Sequence, residues 1–198
     1  MTRRPNDQAR ARILSMAQEL YYEHGMRGVS MDEVAAAAGL KKANLFHYFP
    51  TRDALQLAVI DLTCQAMREE VRRRCARARH PIRAVARMFD DARADMGAQG
   101  CRGGCLLGNL AQELSDGDEP ARRKLADHLA FWRDQVAQIL DRGRQSGFFR
   151  KELDPRAAAE AILALFEGSL LFAKAHKTTD TILSARRMAT GYLEALRA

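Results

Sequence analysis

The stretch from Ser30 to Phe49 constrains the fold more than any other part of the sequence. Ser30 is a favoured helix N-cap residue, and Glu33 stands three positions later, as in a capping box. Gly39 supplies the residue with positive φ that ends a first short helix. A second short helix follows, in which Leu45 and Phe49 lie four residues apart on one side. The sequence therefore predicts two short helices joined by a tight turn.

The opposite side of the second helix carries residues suited to reading DNA. It presents Ala43, Asn44, His47 and Tyr48. An asparagine can bind adenine through two hydrogen bonds, and an alanine can contact the methyl group of thymine. The pattern predicts a DNA recognition helix, and the alternative is a helical hairpin whose outer face is merely solvated.

Another helix is predicted before this pair, from about Asp7 to His24, because apolar residues recur there at helical spacing. They are Ile13, Leu14, Ala17, Leu20 and Tyr21. The polar arm ahead of this helix, with Arg3 and Arg4, either contacts the DNA backbone or is a frayed terminus.

A long fourth helix is predicted from Arg52 to about Arg79, with Thr51 as its cap. Its expected inner stripe consists of Leu55, Ala58, Val59, Leu62, Ala66 and Met67. The far half is rich in arginine from Arg68 onward. We interpret these arginines mainly as a solvated face, because a helix that rises about 1.5 Å per residue carries them away from DNA.

A larger helical body is predicted after the break at His80 and Pro81. Its helices cover residues 81–98, Cys105 to Leu114, Pro120 to Ser146, 155–176 and 181–196. The helix at 155–176 is almost entirely apolar, which favours a partner interface, with a central buried helix as the alternative.

The sequence thus predicts an all-α protein. Residues 1–52 form a three-helix DNA-binding domain that contains a helix-turn-helix, residues 53–80 a connecting helix, and residues 81–198 a regulatory, ligand-binding and dimerisation domain.

The net charge and the sequence motifs that are missing limit the classes of function to be considered. The formal net charge of +7 suits a polyanionic partner, although it also fits simple solubility. We find no phosphate-binding loop, nucleophile elbow, metal-ligand motif or acid/base pair, so we expect no enzyme, no catalytic or metal site and no cofactor. We also find no signal peptide and no apolar run that could span a membrane. These observations predict a cytoplasmic protein with reduced cysteines and no membrane partner.

A second unusual stretch runs from Cys101 to Leu110. Cys105 is expected at the N-terminus of a helix and beside Arg102, where the helix dipole and the cation both favour the reactive thiolate. The sequence therefore suggests a thiol sensor. The alternatives are a small buried hydrophobic Cys105, a disulfide between Cys101 and Cys105, and, least favoured because a third ligand is missing, a metal site.

The order of signals over residues 9–55 closely resembles the TetR family of bacterial transcription regulators. The resemblance rests on a Ser-capped helix with Val-Ala-x-x-Ala-Gly, followed by Leu-Phe-His-Tyr-Phe-Pro-Thr-Arg-Asp-Ala-Leu. It implies a homodimer in which helices 155–176 and 181–196 of two copies form a four-helix bundle. It also implies that a ligand in the body spreads two reading heads and releases double-stranded operator DNA.

The resemblance also implies roles for single residues. Contacts to the DNA backbone are expected from Ser30, Lys42, Tyr48 and Arg52, contacts to base edges from Ala43, Asn44 and His47, and either kind from Lys41. The chain departs from the family at Phe46, where tyrosine is common, and at Ala43 and Asn44, where glycine and threonine are common.

The run Gly-Cys-Leu-Leu-Gly-Asn-Leu resembles a subgroup of the family that senses electrophiles or reactive chlorine, as the N-ethylmaleimide-responsive repressor does. That resemblance implies Cys105, with Cys101 nearby, as the sensing residue.

We therefore expect a dimeric, sequence-specific regulator, most simply a repressor. It would leave a palindromic operator when a small molecule binds or when Cys105 is modified. In the alternative, a ligand binds non-covalently in the body and Cys105 is purely structural. A sequence-tolerant DNA-packaging protein or a pure protein-interaction module is a third possibility, and a DNA footprint would distinguish it.

Overall fold

A computed structural model describes residues 5–198 and places nine α-helices within that range. They are α1 (Pro5–His24), α2 (Met31–Ala37), α3 (Lys42–Tyr48), α4 (Arg52–Ala76), α5 (Pro81–Ala98), α6 (Leu106–Leu114), α7 (Glu119–Gln145), α8 (Pro155–His176) and α9 (Asp180–Ala195). Extended backbone pairs in this range only at an isolated bridge between Phe149 and Arg197. The predicted all-α class is confirmed. The arm with Arg3 and Arg4 lies outside the described residues.

Capping side chains account for several helix starts. Thr51 Oγ1 accepts the N–H of Ala54 at 3.0 Å, which fixes the start of α4 as predicted. Asp154 caps α8 by accepting two backbone N–H groups at 2.9 and 3.1 Å, and Pro155 is the first residue of that helix. The end of α4 differs from the prediction. It lies at Ala76, because the next residues form the tighter hydrogen bonds of a closing turn.

The chain divides into two compact units. The first unit contains the residues up to Ala66 together with Leu106–Ala126, and the second contains Met67–Cys105 and Asp127–Ala198. The domain boundaries predicted along the sequence, after residues 52 and 80, stay a prediction.

In the first unit, α1 packs against α2, and α2 packs against α3. The predicted apolar stripe of α1 is buried except for Leu20, which is half-buried. The inner face of α4 was predicted less well, since Leu62 and Ala66 are exposed. Thr63 is buried instead, with a hydroxyl that accepts a hydrogen bond from Gln18 at 3.0 Å and donates one to the Val59 carbonyl at 2.8 Å. A satisfied hydroxyl can occupy an inner face, which apolar periodicity does not anticipate.

In the second unit, α9 packs against both α5 and α8. The ring of Phe166 meets Phe89 and Trp132 edge to face, each with centroids 5.3 Å apart, and these rings belong to the buried core. Helix α8 has a buried side, as the central-helix interpretation predicts, and an exposed apolar side, on which a partner interface stays a prediction. Phe166 belongs to its buried side, whereas Leu171 and Phe172 on the other side are 49% and 55% exposed.

None of the helices in residues 5–198 combines the length and the apolar character that crossing a membrane requires.

Candidate nucleic-acid interface and effector sites

The start of α2 and the turn between α2 and α3 have the geometry that the sequence predicts. The Ser30 hydroxyl accepts the N–H of Glu33 at 3.2 Å, and the Glu33 carboxylate accepts the N–H of Ser30 at 2.7 Å. These two bonds form a complete capping box. The pKa of Glu33 is lowered because its carboxylate accepts hydrogen bonds from the N–H and from the hydroxyl of Ser30. Gly39 has φ +67°, a conformation that a residue with a side chain rarely adopts.

One side of α3 is buried and the other is exposed to solvent. Leu45 and Phe49 are 0% and 3% exposed. The predicted base-reading residues Ala43, Asn44 and His47 are all exposed on the opposite side. The surface therefore has the residue types and the exposure that direct readout of a DNA groove requires.

The residues expected to contact the DNA backbone differ in their surroundings. Lys41 is exposed, Tyr48 is half-buried, and Lys42 forms an ion pair with Asp32 at 2.8 Å in which both side chains are more than half exposed. Such exposed pairs contribute little, typically about 0–1 kcal/mol, so a phosphate group could replace the Asp32 carboxylate. Ser30, at the helix start, uses its hydroxyl in the capping box.

Arg52 has an internal partner that the sequence does not reveal. Its Nη2 donates a hydrogen bond to the carbonyl of Met26, in the connector between α1 and α2, and its Nε is buried without a partner in the described chain. The nearby Tyr21 is buried, which raises its pKa to about 12 against the opposing influence of Arg52. A contact from Arg52 to the DNA backbone stays a prediction, because this guanidinium already donates a hydrogen bond to the connector.

The same connector is bound from its other side by a carboxylate on α6. Glu113 accepts the N–H of Met26 at 3.0 Å and the N–H of Arg27 at 2.5 Å. Gly25 leaves room for this side chain, since a Cβ at Gly25 would approach Glu113 Oε2 to 3.1 Å, and its φ of +74° also favours glycine. The peptide of Met26 is thus held at its N–H by Glu113 and at its carbonyl by Arg52.

The two cysteines proposed as sensors lie in unlike surroundings. Cys101 is 5% exposed and belongs to the core of the second unit, whereas Cys105 is half-buried and directly precedes the first residue of α6. Neither forms a disulfide in this structure. Cys101 has φ +55°, and its carbonyl accepts a hydrogen bond from Lys177 Nζ at 3.2 Å. Of the two thiols, that of Cys105 is the more accessible to a reagent.

The structure adds a neighbour of Cys105 that the sequence did not suggest. The thiol donates a hydrogen bond to the carboxylate of Glu167 on α8, and burial raises the pKa of Glu167 in spite of that bond. Removing the thiol proton would place two negative charges side by side, which opposes the effect expected from the helix dipole and Arg102. The sensing roles of Cys105 and Cys101 stay predictions.

A cavity of about 740 Å³ lies within the second unit. Its walls come from α4, α5 and α7, with Phe166 of α8 at one end, and they include the only tryptophan of the chain, Trp132. This volume lies in the range that small-molecule sites occupy, roughly 300–1,000 Å³. The cavity is therefore a candidate effector site.

A buried histidine stands one helical turn before Trp132. His128 is 0% exposed, and neither ring nitrogen has a hydrogen-bond partner in the described chain. Burial lowers its pKa to about 4, and the cation of Arg68 acts in the same direction. This histidine is therefore neutral at physiological pH.

Sequence reasoning did not single out Glu113, Glu167 or His128. The partners of Glu113 and Glu167 are distant along the chain, and no local motif marks a carboxylate that will meet a connector 86 residues earlier. Within the described residues no group of three His, Cys, Asp or Glu side chains is placed to hold a metal ion.

Two family models match the chain. The model described as "Bacterial regulatory proteins, tetR family" matches residues 13–59, and the one described as "Tetracyclin repressor-like, C-terminal domain" matches residues 81–189. Together they cover α2, α3 and most of the helices that follow α4.

Individual proteins are similar as well. The transcriptional regulator AcuR of Cereibacter sphaeroides is 31% identical over 173 residues, which cover 83% of this chain and 76% of AcuR. The repressor NemR of Escherichia coli K12 is 20% identical over 93% of this chain and 94% of its own. The crystal structure of the reduced form of NemR has a TM-score of 0.85, with 96% of this chain and 97% of that chain covered. A regulatory protein TetR from Rhodobacter sphaeroides has the same TM-score at 27% identity, covering 93% and 98%.

Proposed function

Because the chain belongs to the TetR family of bacterial transcription regulators, we propose that it is a homodimeric repressor that reads a palindromic operator with α3. The family consists of regulators rather than enzymes, and the named relatives include a transcriptional repressor. Its ligand is genomic DNA, so we place it in the cytoplasm. An effector that binds in the body then lowers the affinity for the operator.

The observation that carries this proposal is the division of α3 into two sides. Leu45 is buried and anchors α3, while Asn44 and His47, which follow the turn at Gly39, are exposed to solvent. Lys41 and Lys42 stand at the start of the same helix, where cations can bind phosphates and set the register on the duplex.

The experiment is selection of binding sites from random duplex DNA, followed by measurement of affinity for the selected and for scrambled sequences. Asn44→Ala should cost about 1–3 kcal/mol on the selected site only and relax the preference at one base position. Lys41→Ala serves as the matched control on the same surface, and it should weaken both kinds of DNA alike and flatten the dependence on salt. An unchanged ratio in Asn44→Ala would contradict base reading by this residue.

We favour the cavity of the second unit as the effector site. Its volume suits a small molecule, and α4, which lines it from Met67 to Arg79 with its closing turn, also carries Arg52, the residue that binds the connector of the first unit. A ligand that alters α4 therefore acts on a helix that supports the reading surface.

Modification of Cys105 is a second candidate for the trigger. Leu106, the first residue of α6, follows Cys105 directly, and Glu113 on that helix binds the connector. In this route the Glu167 carboxylate accepts the thiol proton, and the resulting thiolate of Cys105 attacks the reagent. Operator release after treatment with N-ethylmaleimide, compared between wild type and Cys105→Ser, tests this route. Equal release in both would exclude Cys105.

The proposed dimer rests on the apolar surface of α8 and α9. Leu171 and Phe172 on α8 and Met188 and Tyr192 on α9 are 48–69% exposed. Exposed apolar residues grouped on two adjacent helices are typical of a partner surface. A palindromic operator requires two reading helices about 34–36 Å apart, which a dimer would supply.

A further inference from the structure

The cavity of the second unit carries information on the chemistry of its ligand, and the following inference rests on its proposed role as the effector site. Six arginines and three acidic residues contribute to its lining. The arginines are Arg73, Arg74, Arg77, Arg79, Arg83 and Arg87, and the acids are Glu70, Asp91 and Asp95. The lining therefore has a clear excess of positive charge.

Two of the acids already have arginine partners. Glu70 pairs with Arg73 and Arg74, while Asp91 pairs with Arg74 and, at 3.7 Å, with Arg87. The remaining arginines, Arg77, Arg79 and Arg83, have no ion pair within the described residues. Arg77 and Arg79 lie in the short connection that follows α4, and Arg83 lies in the first turn of α5. These three cations are available to an anionic group.

The rest of the lining is apolar. Val71, Val85, Val136 and Phe166 are buried core residues that also form the wall, and Trp132 is only 7% exposed. Large apolar side chains of this kind favour a hydrocarbon or aromatic body, because its transfer from water stabilises binding by about 25 cal/mol per Å² of buried apolar surface. The arginines of the lining are exposed, and we call the part of the cavity formed by Arg77, Arg79 and Arg83 its rim.

We propose that this cavity binds an amphipathic organic anion. Its apolar body lies against Trp132 and Phe166, and its single oxyanion group, a carboxylate or a phosphate ester, is bound by Arg77, Arg79 and Arg83. Guanidinium groups bind both kinds of oxyanion through paired hydrogen bonds, so the structure defines the charge and the apolar body rather than the identity of the acid. A cation of the same length would meet an excess of like charge at the rim.

Four probes with the same eight-carbon chain separate these contributions: octanoate, octyl phosphate, octanol and octylammonium. Trp132 is the only tryptophan of the protein and lies in the cavity wall, so its emission reports occupancy in titrations of the whole chain without DNA. Octanoate or octyl phosphate should change the emission with a dissociation constant at least about tenfold lower than that of octanol, since only the anions form charge-assisted hydrogen bonds with the arginines. Whichever anion binds more tightly identifies the class of headgroup.

Variants at the rim test the role of the cations. In Arg77→Gln with Arg83→Gln, the dissociation constant for the better anion should rise about tenfold, while that for octanol stays the same. Arg93→Gln is the matched control, because Arg93 is an exposed arginine on α5 outside the cavity lining. Thermal unfolding of both proteins verifies that they are folded.

Three results would overturn the proposal: octanol or octylammonium binding as tightly as the anions, no response of Trp132 to any probe, or unchanged anion affinity in the double variant. None of them concerns DNA. Selective operator binding by the wild type would stand even if the cavity prefers a neutral ligand, and a chain that binds anions but reads no operator would instead refute the proposed function.

Discussion

Replacing Glu113 with alanine should loosen the connector between α1 and α2. The carboxylate accepts two backbone N–H groups, from Met26 at 3.0 Å and from Arg27 at 2.5 Å. A hydrogen bond to a charged group contributes about 1.5–3 kcal/mol, and less where solvent competes, as it does at Arg27. The two bonds together predict a loss of roughly 2–4 kcal/mol in the local stability of the connector.

Native-state hydrogen exchange measures this loss at the two amides themselves. Local opening that becomes easier by about 2 kcal/mol accelerates exchange roughly 30-fold, so the amides of Met26 and Arg27 should exchange at least that much faster in Glu113→Ala. Glu113→Gln keeps one acceptor oxygen without its charge, and we expect a smaller acceleration. The affinity for the selected operator should fall in the same order, because the connector leads directly to Ser30 and the capped start of α2.

A neighbouring residue provides the control. Gln112 is exposed on the same helix, and Gln112→Ala should leave both amides at their wild-type rates. The reasoning would be refuted if Met26 and Arg27 exchanged in Glu113→Ala as slowly as in the wild type. Equal acceleration in Gln112→Ala would instead trace the effect to the stability of α6 as a whole.

Three further predictions test other parts of the structure. Between about pH 6.5 and pH 4, His128 is protonated in the unfolded chain but not in the folded chain, where its pKa is lowered to about 4. The free energy of unfolding should therefore fall by up to about 3 kcal/mol as the pH drops through this window. Denaturant titrations should show less of this decline in His128→Leu. Gly39→Ala should cost about 1–2 kcal/mol of stability in urea because φ is +67°, whereas Gly168→Ala, within α8 and with open space around its Cβ, should cost nothing measurable; equal effects would contradict the conformational argument. Leu171→Asp should produce monomers in analytical ultracentrifugation and lower operator affinity, and a dimer of unchanged stability would place the interface elsewhere.

The local geometry of α2 and α3 could be predicted from the sequence because its determinants are local. Ser30 and Glu33 are three residues apart, Gly39 ends its own helix, and Leu45 and Phe49 are one turn apart. Each signal acts within a few residues of the backbone that it shapes, so pattern and structure agree here. The caps at Thr51 and Asp154 were predictable for the same reason.

What could not be predicted depends on contacts between distant segments. Nothing near Arg52 in the sequence indicates that its guanidinium binds the carbonyl of Met26, and Glu113 finds its partners more than 80 residues away. The surroundings of Cys105 illustrate the same limit. Helix position and Arg102 suggested a stabilised thiolate, but the carboxylate beside the thiol is supplied by Glu167, 62 positions later in the sequence. Sequence patterns predict the structure of a helix end, but they do not predict which side chains of other helices contact that end.

In the proposed function, α4 couples the cavity to the DNA-binding surface. Its last turns line the cavity, and its first residue binds the connector that precedes the capped helix α2. An effector can shift this system only if it binds two arrangements of the protein with different affinity. In the proposed site such a difference would arise because the oxyanion binds Arg77 and Arg79, which follow α4, together with Arg83 on α5, and so favours arrangements in which these two segments lie close together. Binding at the two sites is then reciprocal: whatever factor the anion removes from operator affinity, the operator must remove from the affinity for the anion.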